Sequence, residues 1–82
     1  MIEIKFEKEK NRAIALNDEV AVGECNFIEE NDKWNIIRTE VDNSYQGQGI
    51  AKRLVECIKE NSNGKNLVAD CSYAKKVLEK MQ

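Results

Sequence analysis

The stretch Tyr45-Gln46-Gly47-Gln48-Gly49-Ile50-Ala51 divides the chain into two unlike parts. Before it, apolar residues recur at every second position; after it, they recur every three to four. Ile2, Ile4 and Phe6 alternate with charged residues, Arg12 to Leu16 form a second apolar run, and Asn17-Asp18-Glu19 has the composition of a turn. Residues 20–30 make a third extended segment, Asn31-Asp32-Lys33 a tight hairpin, and Trp34 to Val41, rich in β-favouring Trp, Ile, Thr and Val, a fourth. Period two broken by short polar turns predicts an antiparallel meander.

Downstream, Ile50, Leu54, Cys57, Ile58 and Asn61 share one helical face, with Lys52, Arg53, Glu56, Lys59 and Glu60 mostly opposite. The spacing predicts an amphipathic helix from about 48 to 61, stopped by Asn61-Ser62-Asn63-Gly64 with Gly64 as a left-handed terminator. Leu67-Val68-Ala69-Asp70-Cys71 reads as a short buried strand. Ser72 offers an N-cap to a last helix whose inward stripe is Tyr73, Val77 and Met81 with Ala74 and Leu78. The order β-β-β-β-α-β-α describes an α+β fold with a mixed, mostly antiparallel five-stranded sheet. A strand, a helix and a strand in one sheet favour parallel pairing of the fourth and fifth strands.

A chain of 82 residues suffices for one hydrophobic core, so a single domain over 1–82 is expected. The net charge of −2 hides an asymmetry: residues 1–44 carry six Lys/Arg against eleven Asp/Glu, and residues 45–82 carry seven against four. A mildly basic second half suits a phosphate-bearing ligand, while the whole is too acidic for a general nucleic-acid binder. The sequence has no histidine, which excludes a Ser-His-Asp triad, a Cys-His pair and a His-ligated metal within this chain. Cys25, Cys57 and Cys71 form no Cys-x-x-Cys pair, and their odd number argues against a disulfide framework, so no metal site is expected. Neither a signal peptide nor an apolar run near the roughly 18 residues of a membrane span is present. These features lead to the expectation of a soluble, reduced, cytoplasmic protein with no membrane partner, a monomer or weak dimer.

The dividing stretch carries the chemistry. Gly47 and Gly49 let backbone N–H groups approach a ligand, and the following helix N-terminus adds a partial positive charge suited to phosphate or pyrophosphate. A tight turn needing positive φ accounts for the glycine pair equally well. No Gly-Lys-Ser/Thr follows, which excludes a Walker loop, and no strand-helix-strand unit with an acidic ribose ligand surrounds it, which excludes a dinucleotide fingerprint.

The phrase Gln46-x-x-Gly49-x-Ala51 resembles the Gln/Arg-x-x-Gly-x-Gly/Ala motif of the GNAT superfamily of acetyl-CoA-dependent N-acetyltransferases, and it stands between a fourth strand and the main helix as it does there. Thr39-Glu40-Val41, Gly47-x-Gly49-x-Ala51-x-x-Leu54-Val55 and Cys71-x-Tyr73 extend the likeness to the very small, single-domain GNAT-like proteins of the N-acetyltransferase domain-containing protein 1 type. Members of that type often carry His before Thr-Glu-Val, where this chain has Arg38, and Pro before the Cys, where it has Asp70.

The resemblance implies acetyl-CoA as cosubstrate and an unidentified amine as acceptor. It implies that Val41 offers backbone groups to the pantetheine arm, and that Gln46, Gly47, Gln48, Gly49, Ile50 and Ala51 contact the pyrophosphate, with Lys52 or Arg53 within reach of a phosphate. It places Cys71 near the thioester as nucleophile or acetyl acceptor, Tyr73 beside the departing sulfur, and Glu40 as the carboxylate that takes a proton. The plain readings stay beside these: a core valine at 41, solvated helix charges at 52 and 53, a structural thiol at 71, a core aromatic at 73 and a solvent-facing carboxylate at 40. Cys57, on the helix stripe, and Cys25, in a strand, read as structural. A module that binds CoA or acyl-CoA without catalysis is the alternative function.

Overall fold

The computed structural model describes residues 1–80. Five strands, β1 (Ile2–Glu7), β2 (Arg12–Asn17), β3 (Val20–Glu30), β4 (Lys33–Val41) and β5 (Asn66–Ala69), form one sheet in the order β1-β2-β3-β4-β5. The first four are antiparallel neighbours, and β5 lies parallel to β4, pairing Lys33–Ile36 with Asn66–Ala69. Helix α1 (Ile50–Asn61) makes the crossover between β4 and β5, and α2 (Ser72–Lys80) follows β5. The expected α+β architecture is the one observed.

Both helices pack on one face of the sheet. Ala13, Ala15, Cys25, Phe27, Trp34 and Ile36 of the strands meet Ile50, Leu54, Val55 and Ile58 of α1 and Ala74 and Val77 of α2 in one buried cluster. Small residues let α1 sit close: a Cβ on Gly23 would lie 3.1 Å from the Glu40 carbonyl oxygen and 3.5 Å from Leu54 Cδ1. Phe6, Phe27 and Trp34 stack at the far end, the last two with ring centroids 4.3 Å apart, beneath the ammonium groups of Lys8 and Lys65.

Two irregularities in β4 shape the site. Asn26 pairs with Arg38 but the next residue of β3, Phe27, pairs with Ile36, so Ile37 is an extra residue, a β-bulge. Side chains alternate on a strand, so the bulge turns Thr39 and Val41 to the helix-bearing face with Trp34 and Ile36, and Arg38 and Glu40 to the bare face. The second is an early end to β5. Asn35 is buried, accepts a hydrogen bond from Asp70 N–H (3.0 Å) on Oδ1 and donates from Nδ2 to the Asp70 carboxylate (2.9 Å), while Asp70 and Cys71 N–H both donate to the Ile36 carbonyl oxygen (3.0 and 3.2 Å). This clamp turns the chain away after Ala69, so β5 covers Asn66–Ala69 and stops short of Cys71, where the sequence had placed its end.

Three further details depart from the sequence reading. α1 begins at Ile50 instead of 48, because Gly49 is left-handed with φ 78° and stands outside the helix. Ser72 is already helical, which puts Cys71 at the N-cap position of α2. Tyr73 is not part of the inward stripe: it is 43% exposed, while Ala74 and Val77 face the core. Met81, the last residue expected on that stripe, lies outside the described residues. Gly64, with φ 83°, is the left-handed residue expected after α1.

Candidate active site

Beyond Ile36, β4 continues without β5 beside it. Asp42 N–H donates to the Val22 carbonyl oxygen of β3 (2.8 Å), and in an antiparallel ladder alternate residues point both backbone groups the same way. The backbone groups of Thr39 and Val41 therefore face the gap left by β5. Gln46 Nε2 donates to the Val41 carbonyl oxygen (3.2 Å) and to Asn43 Oδ1 (3.1 Å), so this side chain holds the loop against the strand end. Tyr45 Oη, accepting from Asn17 Nδ2 (2.8 Å), ties the same loop to β2.

A cleft of about 460 Å³ opens here, lined by Thr39, Val41, Tyr45, Gln46, Gly47, Gly49, Ile50, Ala51 and Tyr73. Gly47 and Gly49 adopt φ 83° and 78°, and a Cβ on either would meet nothing within 4 Å. Glycine is needed for the backbone angle, and its bareness keeps the approach open. No side chain caps α1, which leaves the first N–H groups of the helix pointing out of the protein at the floor of this cleft. Gln48 is exposed beside them. Lys52 points elsewhere, into a neighbouring cavity between α1 and α2 that it shares with Glu56, Tyr73, Lys76, Val77 and Lys80.

Cys71 stands one side chain beyond the Thr39 wall, its Sγ 3.6 Å from Thr39 Oγ1. Its S–H donates to Thr39 Oγ1; burial pushes the thiol up, but the backbone N–H of Ala74, the Thr39 hydroxyl and the backbone N–H groups of Tyr73 and Thr39 favour the ionised sulfur, and the net direction is down. The cause is the N-cap position: the sulfur takes the place of a capping oxygen on the second and third N–H of α2. The carboxylate of the neighbouring Asp70 accepts from Asn35 Nδ2.

Cys25 is fully buried in β3 opposite Thr39, with its Sγ 3.4 Å from the same hydroxyl, and burial pushes its thiol up to about 11. Cys57, half-buried on α1, is raised by burial and the nearby Glu60, against the Asn61 amide. All three thiols are free.

The bulge separates Glu40 from Cys71. Glu40 stands on the bare face, paired with Arg38 (2.6 Å) with both side chains more than half exposed, so the pair adds little stability. It lines a second cavity of about 580 Å³ with Arg12, Ile14, Glu24 and Asp42, and Thr39 and Val41 line both this cavity and the cleft. Arg12 there donates to Glu7 (2.6 Å) and Glu24 (3.1 Å). The structure thus gathers Val41, Gln46, Gly47, Gly49, Ile50, Ala51 and Tyr73 around one cleft with Cys71 adjoining, and leaves Lys52 and Glu40 outside it. Thr39, part of a quoted motif with no role attached, was the residue the sequence reading passed over. Among the described residues no group of His, Cys, Asp or Glu is arranged to hold a metal ion, and no helix is long and apolar enough to cross a membrane.

A ribosomal-protein-alanine N-acetyltransferase from Brucella melitensis biovar Abortus 2308 shares the fold with a TM-score of 0.69 and 19% identity, over 85% of this chain and 61% of that one. The PaiA N-acetyltransferase from Thermoplasma acidophilum, solved with coenzyme A, matches with a TM-score of 0.61 and 17% identity over 63% of this chain and 33% of that one. A diaminobutyrate acetyltransferase from Paenibacillus lautus, solved with L-2,4-diaminobutyric acid and coenzyme A, matches with a TM-score of 0.65 and 15% identity over 88% of this chain and 47% of that one. The chain thus spans about three fifths or less of the length of each of these structures. No curated protein matches the sequence. The family model for the GCN5-related N-acetyltransferases matches residues 5–82, so the chain belongs to that family.

Proposed function

We propose that this protein is an acetyl-CoA-dependent N-acetyltransferase of the very small, single-domain type, acting in the cytoplasm on an amine. The observation that carries the proposal is the meeting of three features at one cleft: the uncapped, glycine-led N-terminus of α1, the backbone edge of Thr39 and Val41 with no strand beside it, and Cys71 at the start of α2, where N–H groups favour its ionised sulfur. These residues fit coenzyme A. Gln46 to Ala51 supply N–H groups and space for the pyrophosphate, and Val41 N–H donates to a pantetheine carbonyl as an added strand's partner would, while Lys52 lines the neighbouring cavity.

Cys71 thiolate attacks the thioester carbonyl carbon. The carbon–sulfur bond to coenzyme A then breaks, and coenzyme A leaves as a thiol after taking a proton from the Tyr73 hydroxyl at the cleft mouth. The acceptor amine attacks the acetyl-cysteine and releases Cys71. Its proton passes through water to the Tyr73 phenolate and restores the hydroxyl, while Glu40, across the sheet, takes no part in the step. Backbone N–H groups around Cys71 stabilise the oxyanion in both steps.

Titration calorimetry with acetyl-CoA and CoA is expected to show binding at or below millimolar concentration; absence of heat there overturns the reading. Incubation with acetyl-CoA followed by intact mass measurement is expected to show one acetyl adduct that Cys71→Ala abolishes. Binding without any transfer to Cys71 or to an added amine favours a CoA-binding module instead.

A further inference from the structure

Three side chains converge at the wall of the cleft that Thr39 forms: Thr39 itself, and Cys25 and Cys71 behind it. The Thr39 hydroxyl, carried to the helix-bearing face by the bulge, lies 3.4 Å from Cys25 Sγ and 3.6 Å from Cys71 Sγ. A hydroxyl has one proton to give and two lone pairs to receive with. Cys25 is fully buried and keeps its S–H across the neutral range, so toward Thr39 it is a donor. Cys71 S–H donates to Thr39 Oγ1 in the structure, and when that thiol ionises the Thr39 proton is free to turn toward the sulfur. That sulfur already receives the N–H groups of Tyr73, Ala74 and Thr39, and an ionised sulfur accepts all of them together.

We propose that on ionisation of Cys71 its hydrogen bond with Thr39 reverses, and Cys25 and Thr39 form a hydrogen-bond chain, Cys25 S–H to Thr39 Oγ1 and Thr39 O–H to Cys71 Sγ, which fixes and stabilises the thiolate. Thr39 and Cys25 are positioning residues: no proton is transferred along the chain, and neither touches the acetyl group. The proposal rests on the reading of Cys71 as acetyl acceptor and adds to it the residues that prepare the sulfur. The other titratable groups around this point are Cys57 of α1, which acts on Cys25, and Asp70 and Tyr73 flanking Cys71. Asp70 is tied to Asn35, and Arg38 and Glu40 of β4 lie across the sheet.

The test is the pH profile of iodoacetamide alkylation at Cys71 in the full chain, read on the Cys71 peptide so that Cys25 and Cys57 are scored separately. Thr39→Val is expected to raise the midpoint by about one pH unit and to lower the neutral rate by about threefold, since a more basic thiolate attacks faster and offsets part of the tenfold loss of thiolate. Thr39→Ser is expected to restore the profile, and Cys25→Ala to shift it in the same direction by less. Unshifted midpoints in Thr39→Val or in Cys25→Ala overturn the chain. Where Thr39→Val does not fold, Cys25→Ala decides, because it leaves Thr39 in place. An unshifted midpoint in a protein that still takes up acetyl on Cys71 defeats this inference alone. A shifted midpoint in one that takes up no acetyl supports it and defeats the acetyl reading.

Discussion

Single residues at this site were legible where their role is written in the backbone. Gly47 and Gly49 could be read from their identity, since positive φ before a helix favours glycine, and the observed angles of 83° and 78° bear this out. Gly49→Ala is therefore expected to cost about 1 kcal/mol of stability through the strained angle, measured as a lower urea midpoint, and to weaken CoA binding by about tenfold in calorimetry as a methyl group enters the approach. Glu40 was not legible. Its side depends on the one extra residue at Ile37, and a one-residue slip moves every later side chain to the other face. Tyr73 was misjudged for a similar reason: the stripe on α2 is set by Ala74 and Val77, and Tyr73 falls off its edge toward the cleft.

At the scale of elements, the fold depends on where β4 and β5 part. The Asn35–Asp70 clamp holds the last paired position and starts the turn that sets Cys71 on the N-terminus of α2. Removing one partner leaves the other with unmet hydrogen bonds near the core. Asn35→Ala is expected to cost about 1–3 kcal/mol in urea unfolding. Combined with Asp70→Ala, the double variant should lose less than the sum of the singles, because both delete the same contact. Additive losses would show that the clamp does not act as a unit. The amphipathic pattern of α1 was readable from residues 50 to 61, but its first turn was placed two residues early. Only the left-handed Gly49 fixes the start.

For the whole molecule, buried thiols give stability an alkaline limit. Burial raises Cys25 from its ordinary value to about 11. The folded state thus holds that proton more tightly than the unfolded chain does. The associated stability is complete below about pH 9 and falls as pH rises toward 11, by about 2–3 kcal/mol for a two-unit shift. Cys57, also raised, adds in the same direction. Chemical denaturation of the wild type and of Cys25→Ala across this range should show a shallower alkaline decline in the variant; parallel curves would refute the assignment. On the acid side, Glu7 is lowered by its hydrogen bond to Arg12 and Glu29 by its bond to Lys8. Their contribution is present above the ordinary carboxylate value and lost as pH falls through the lowered one, and contact with solvent and screening by salt keep it small.

The sequence by itself determined the α+β class, the order of seven elements, the crossover at α1 and the glycine-led helix start, because each is encoded by local period or by backbone angles that few residues accept. Tertiary structure alone decided which groups face one another. The bulge at Ile37 sent Thr39 toward Cys71 and Glu40 away from it, and the Asn35–Asp70 clamp ended β5 early enough to make Cys71 the cap of α2. Both are long-range effects, a register set between β3 and β4 and a hydrogen bond spanning 35 residues, and neither leaves a mark in the pattern of the strand it alters.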